Sequence, residues 1–145
     1  MLLFICILSG QTFVVLAQEE QSFIETLKDK PLLQQVFNNV HYEICTCMAY
    51  NQIGISILEE FNANKEDIER MKEIRNYLFK RALMIHRTDT TTSRIALEMG
   101  RLSSEMHNNM TNFSILLDKY GQLCKEISED PEKRIIYWTT KKLDG

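Results

Sequence analysis

From Leu33 to Ile127 the apolar residues return every three or four positions. That interval marks one face of a helix, because at 3.6 residues per turn positions i, i+3, i+4 and i+7 line up along one side. A chain of many short strands would instead need strict alternation and frequent turn residues. Two Pro and five Gly in 145 residues supply too few of these for an all-β sandwich. With 44% hydrophobic and 26% charged residues the chain can bury a core and is not disordered.

The pattern divides into helices at identifiable signals. Ser22-Phe23-Ile24-Glu25 fits a capping box, in which Ser accepts from the N3 amide and Glu reaches back to the cap, so a short helix is expected over residues 23–28. Pro31 suits the first position of a second helix, where its missing N–H costs nothing. Leu33, Phe37, Val40, Ile44, Met48, Ile55 and Leu58 carry that helix to about Glu60 on one stripe. Tyr42, Tyr50, Ile53 and Ile57 fall off the stripe. A helix apolar on more than one side is either central to a bundle or shares a face with a partner.

Asn64 is a cap for the next helix, with Glu66 and Asp67 at its positive end. Ile68, Met71, Ile74, Leu78, Ala82 and Ile85 follow at helical spacing, and the helix ends near His86-Arg87. Residues 87–92 read as a turn rich in Asp and Thr. From about Thr91 the series resumes with Ile95, Met99, Leu102 and Met106, and beyond residues 107–112 with Phe113, Leu116, Tyr120, Cys124 and Ile127. Asp130 as cap and Pro131 at the first position open a last short helix carrying Ile135, Ile136, Tyr137 and Trp138.

Residues 1–17 carry no charge and are mostly apolar, and Val15-Leu16-Ala17 places small residues where a signal peptidase reads. Ser9-Gly10-Gln11-Thr12 interrupts the run, whereas a bilayer span needs about 20 apolar residues. The expectation is a signal peptide over residues 1–17, one helical domain over residues 18–145 with no transmembrane span, and a secreted or periplasmic location. Such a compartment favours disulfides. Cys45 and Cys47 lie about 200° apart around one helix and cannot share a partner. Cys47 is nearer the core stripe, so it is paired with Cys124, which leaves Cys45 as a free thiol or a dimer contact.

That pairing tests the topology. In one unbroken helix from Thr91 onward, Cys124 would lie about 38 Å beyond the level of Cys47. A disulfide needs Cα atoms within about 7 Å. If the chain reverses near Asn108 to Asn112, Cys124 returns to that level, and Asn tolerates the left-handed backbone a helix end needs. The bond and the break imply each other. Together they give an all-α, up-down-up-down bundle with a short N-terminal and a short C-terminal helix.

Cys47-Met48-Ala49-Tyr50, then Lys119-Tyr120-Gly121-Gln122-Leu123-Cys124, then Asp130-Pro131-Glu132-Lys133-Arg134 and Tyr137-Trp138 come in an order that resembles small exported helical proteins of marine bacteria and their phages. The resemblance implies a helical fold with a Cys–Cys link between the first two motifs. It implies no activity and no functional residue, and Cys45 is an additional cysteine relative to it.

Chemistry is sparsely signalled. There is no C-x-x-C-H, no Glu-x-x-His pair, no H-E-x-x-H, no phosphate loop and no G-x-S-x-G. His41 lies one turn before Cys45, the spacing of a base beside a thiol, but no orienting acid is evident. His41 comes out level with His86 across two helices, and Met48, Met84, Met106 and Met110 offer thioethers, so copper or haem is the chemical alternative. With 17 Lys+Arg against 20 Asp+Glu, the net charge of -3 disfavours nucleic acid as a partner. Asn109-Met110-Thr111 and Asn112-Phe113-Ser114 match the N-glycosylation acceptor pattern and, in a host that glycosylates, would mark a surface turn. The leading expectation is a non-enzymatic exported bundle that meets a protein or envelope partner, or a second copy of itself, through Tyr42, Tyr50 and Ile53.

Overall fold

The computed structural model describes residues 31–143. Residues 1–17 and the short helix expected over residues 23–28 lie outside the described residues. The chain divides into two units, Met1–Gln35 and Val36–Gly145. Of the first, only residues 31–35 are described, as the opening of a helix; the bundle is built by the second.

The protein is an all-α bundle. Among the described residues it has five α-helices and no strand: α1 Pro31–Glu60, α2 Lys65–Ile85, α3 Thr88–Glu105, α4 Phe113–Glu129 and α5 Glu132–Leu143, with a 3-10 turn at Met110–Asn112 before α4. No helix among the described residues is long and apolar enough to cross a membrane.

α1 is the central helix. Val36, Phe37, Val40, Ile44, Cys45, Cys47, Ala49, Ile53 and Ile55 are all buried, so it is enclosed on nearly every side. Leu78 and Ala82 of α2, Leu102 of α3 and Leu116, Cys124 and Ile127 of α4 complete the core around it. Between α1 and α2, Asn38 meets His86 and Gln52 meets Arg75, so residue numbers fall along α2 as they rise along α1. α3 meets α1 with rising numbers, His41 with Thr91 and Thr46 with Glu98. α4 meets it with falling numbers, Cys47 with Cys124 and Tyr50 with Phe113.

Local chemistry explains the breaks. α1 ends through Asn62 at φ 50°, and the Ala63 amide returns to the Leu58 carbonyl at 2.8 Å. Asn64 caps α2 by accepting from the Glu66 amide at 3.1 Å. α3 ends at Met106, after which His107 and Asn108 take φ of 56° and 55°. Two successive left-handed residues turn the chain sharply, and the Asn108 amide closes on the Ser103 carbonyl at 2.9 Å. Cys47 and Cys124 are then joined, their Cα atoms 5.1 Å apart.

Two expectations near these joints need correction. The Asp- and Thr-rich turn over residues 87–92 is shorter, because α3 already begins at Thr88. Thr92 is accommodated in the helix by donating its hydroxyl back to the Thr88 carbonyl at 2.9 Å, and Asp89 suits the positive end. Asp130 ends α4 and Pro131 sits in the turn, so the last helix starts one residue later, at Glu132. Within it Ile135 and Trp138 pack on the core while Ile136 is 66% exposed.

Candidate functional site

His41 and His86 meet as their spacing suggested, with ring centroids 4.4 Å apart, edge to face. Their nitrogens are directed elsewhere. His41 Nε2 lies 3.0 Å from the Thr91 hydroxyl and His86 Nε2 lies 2.9 Å from Asn38 Oδ1. Met48 and Met106 are buried in the core, and no group of three or more His, Cys, Asp or Glu able to hold a metal occurs among the described residues. The geometry therefore lends the copper or haem expectation no ligand set.

Cys45 is a free thiol with its Sγ 3.6 Å from His41 Nε2. It is fully buried, so it is not a dimer contact in this fold. Burial pushes the Cys45 thiol up to about 12, against the pull of Arg94. Burial, reinforced by His86 and Arg94, lowers His41 to about 4. At neutral pH the pair is thus an uncharged thiol beside an uncharged imidazole, the opposite of an activated thiolate and imidazolium.

The His41 shift has a consequence for stability. Between pH 6.5 and about 4 the unfolded chain takes up a proton at His41 that the folded chain does not. Stability therefore falls as pH falls through that window, by about 3 kcal/mol from this residue. Urea midpoints for the native chain and His41→Gln should be compared at pH 7 and near pH 4.5. The native chain should lose clearly more stability than the variant; equal losses would remove His41 as the cause.

The expected interaction face is also redistributed. Ile53 is buried in the core, and Tyr50 is half-buried, stacked on Phe113 with centroids 5.3 Å apart. Only Tyr42, 39% exposed, remains available at the surface, with the Arg94 guanidinium 5.4 Å from its ring centroid. α1 is apolar off the core stripe at Tyr50 and Ile53 because it is central and its own neighbouring helices pack there.

Tyr42 instead stands at the rim of a cleft of about 310 Å³ lined by Asn39, Tyr42, Glu43, Thr46, Arg101, Tyr120, Leu123 and Trp138. Its spacing follows from the helices. Asn39, Tyr42, Glu43 and Thr46 are the i, i+3, i+4 and i+7 positions of α1 and share one face. Tyr120 and Leu123 do the same on α4.

Charged groups hold the walls. Arg134 of α5 grips Glu43 with two nitrogens, at 2.9 and 2.7 Å. Arg101 of α3 grips Glu98 with two, at 2.8 and 2.6 Å. Glu98 is only 3% exposed and also accepts from Thr46 at 3.1 Å. Arg101 further donates to the Tyr120 hydroxyl at 2.6 Å, which itself donates to Glu105 at 2.9 Å. Burial works against the Arg101 charge, yet the bonds to Tyr120 and Glu98 outweigh it and hold the guanidinium pKa above its ordinary value. Trp138 forms another part of the wall, and its buried Nε1–H is without a hydrogen-bond partner among the described residues.

Sequence reasoning reached Tyr42 and missed the rest of this cleft. Two signals were present: a polar stripe, Asn39, Glu43 and Thr46, running beside the apolar stripe of α1, and Glu98, Arg101 and Glu105 at i, i+3 and i+7. No protein-family model matches the chain, and neither does a curated protein or a solved structure.

Proposed function

We propose that this is an exported, non-enzymatic helical bundle that binds a protein partner through the cleft between α1, α3, α4 and α5. The cleft itself carries the reading. Tyr42, Tyr120, Trp138 and Arg101 line it, and Trp, Tyr and Arg are the residue types that most often dominate recognition between proteins. Its volume of about 310 Å³ sits at the lower end of the roughly 300–1,000 Å³ typical of small-molecule sites. That suits one or two inserted side chains better than a large cofactor. The ion pairs hold the walls in place before a partner arrives, which reduces the ordering cost of binding. Export supports the same reading, since the Cys47–Cys124 link suits an oxidising compartment.

The test is site-specific photo-cross-linking in cells that make the protein. A photoreactive residue in place of Tyr42 should give a defined adduct with one partner protein, whereas the same residue in place of exposed Lys80 on α2 should not. No adduct at position 42, or the same adducts from both positions, would overturn the reading.

A further inference from the structure

We infer that the turn between α3 and α4 is a modification site, with an N-linked glycan carried by Asn109 and none by Asn112. The two acceptor triplets, Asn109-Met110-Thr111 and Asn112-Phe113-Ser114, abut one another, and sequence alone gives no reason to choose between them. The structure treats the two carboxamides oppositely.

Asn109 lies in an exposed stretch, residues 107–111, projected by the left-handed pair His107 and Asn108. Its Oδ1 accepts from the Thr111 amide at 3.0 Å and from the Thr111 hydroxyl at 2.8 Å. The two atoms of a carboxamide lie on opposite sides of Cγ, so fixing Oδ1 inside the turn directs Nδ2 outward. The Thr111 contacts thus hold the carboxamide in one orientation.

Asn112 is half-buried, and its Nδ2 donates to the Met106 carbonyl at 3.1 Å. That nitrogen braces the end of α3 against the start of α4. Its neighbour Phe113 is half-buried and stacked on Tyr50. A sugar on Asn112 Nδ2 would replace one of its two hydrogens and crowd the half-buried joint that brings Cys124 back to Cys47.

The reaction at Asn109 is a glycosyl transfer from a sugar carried on a polyprenyl diphosphate. Nδ2 attacks the anomeric carbon, an N–C bond forms and the C–O bond to the diphosphate breaks. The diphosphate leaves with the electron pair, and Nδ2 gives up one proton to a base of the transferase. A glycan there would also cover Met110, which is 43% exposed at the tip of the turn.

This inference rests on the export reading, because the donor and transferase act on the translocated chain. The test is expression of the full chain, from Met1, in a eukaryotic cell that N-glycosylates secreted proteins. The secreted product is treated with a glycosidase that converts the glycan-bearing Asn to Asp and is then peptide-mapped. The expected map shows Asp at position 109, Asn at position 112 and Cys47 linked to Cys124. Asn109→Gln should abolish the glycan's mass shift, and so should Thr111→Ala, while Asn112→Gln should leave it in place. A secreted, disulfide-linked chain bare at Asn109, or glycosylated at Asn112, overturns this inference and leaves export standing. A chain retained in the cytosol overturns export, and the glycan with it.

Discussion

Replacing Cys47 and Cys124 together by Ala is expected to lower stability by up to about 4.5 kcal/mol, the chain-entropy value for a loop of this size. The two residues are 77 apart in the chain, so the bond removes a large share of the unfolded ensemble's freedom. For a domain of this length such a loss corresponds to a fall in Tm of up to roughly 15–20 °C. In thermal melts, the native chain with reductant and the double variant should agree with one another, both well below the native chain without reductant. A shift of only a few degrees in both would mean that the native bundle gains little from the link. Cys45 will not substitute for Cys47, although it lies two residues away. It is fully buried beside His41, about 200° around α1 from Cys47, so a Cys45–Cys124 bond cannot form in the folded bundle. Oxidative refolding should therefore return a single isomer.

The same pair shows what was legible in the sequence. Helical spacing is a local property, and it located α1, α2 and α4 closely. Combining that spacing with the reach of a disulfide required a reversal near Asn108 to Asn112, and the chain turns at the start of that stretch, through His107 and Asn108. The error at Thr88 to Thr92 arose because Asp and Thr serve equally well in turns and in first helical turns. What decides between them is tertiary: Thr91 is fully buried and bonded to His41 on another helix.

The candidate site was harder to read for a related reason. Tyr50 and Ile53 looked like a face awaiting a partner, because a helix surrounded by its own neighbours and a helix meeting a second chain carry the same pattern. The cleft is built from residues on four helices, and α1 contributes them as a polar stripe. In a sequence that stripe is indistinguishable from a solvated flank until Arg134 and Arg101 are known to lie across from it.

Arg101→Leu is expected to cost about 3–5 kcal/mol, the range for breaking a buried ion pair by removing one partner. Glu98 is the reason: at 3% exposure it would be left with the Thr46 hydroxyl as the remaining side chain shown donating to it. Glu105 would suffer less, since Lys119 at 3.0 Å and Tyr120 continue to hold it. The double variant Glu98→Leu, Arg101→Leu should recover most of the loss, because it removes the stranded charge, and an apolar pair can fill such a site at little net cost. Urea denaturation of the two variants and the native chain measures this directly. If the double variant were less stable than Arg101→Leu, the two residues would be stabilising the bundle independently. If Arg101→Leu were as stable as the native chain, Glu98 would have to reach water or another cation. The cleft wall formed by Thr46, Arg101 and Tyr120 would then not be held in advance of binding. The stability measurement thus bears on function, because a preformed cleft requires that Arg101 bind Glu98 tightly enough to hold α3 against α1 and α4.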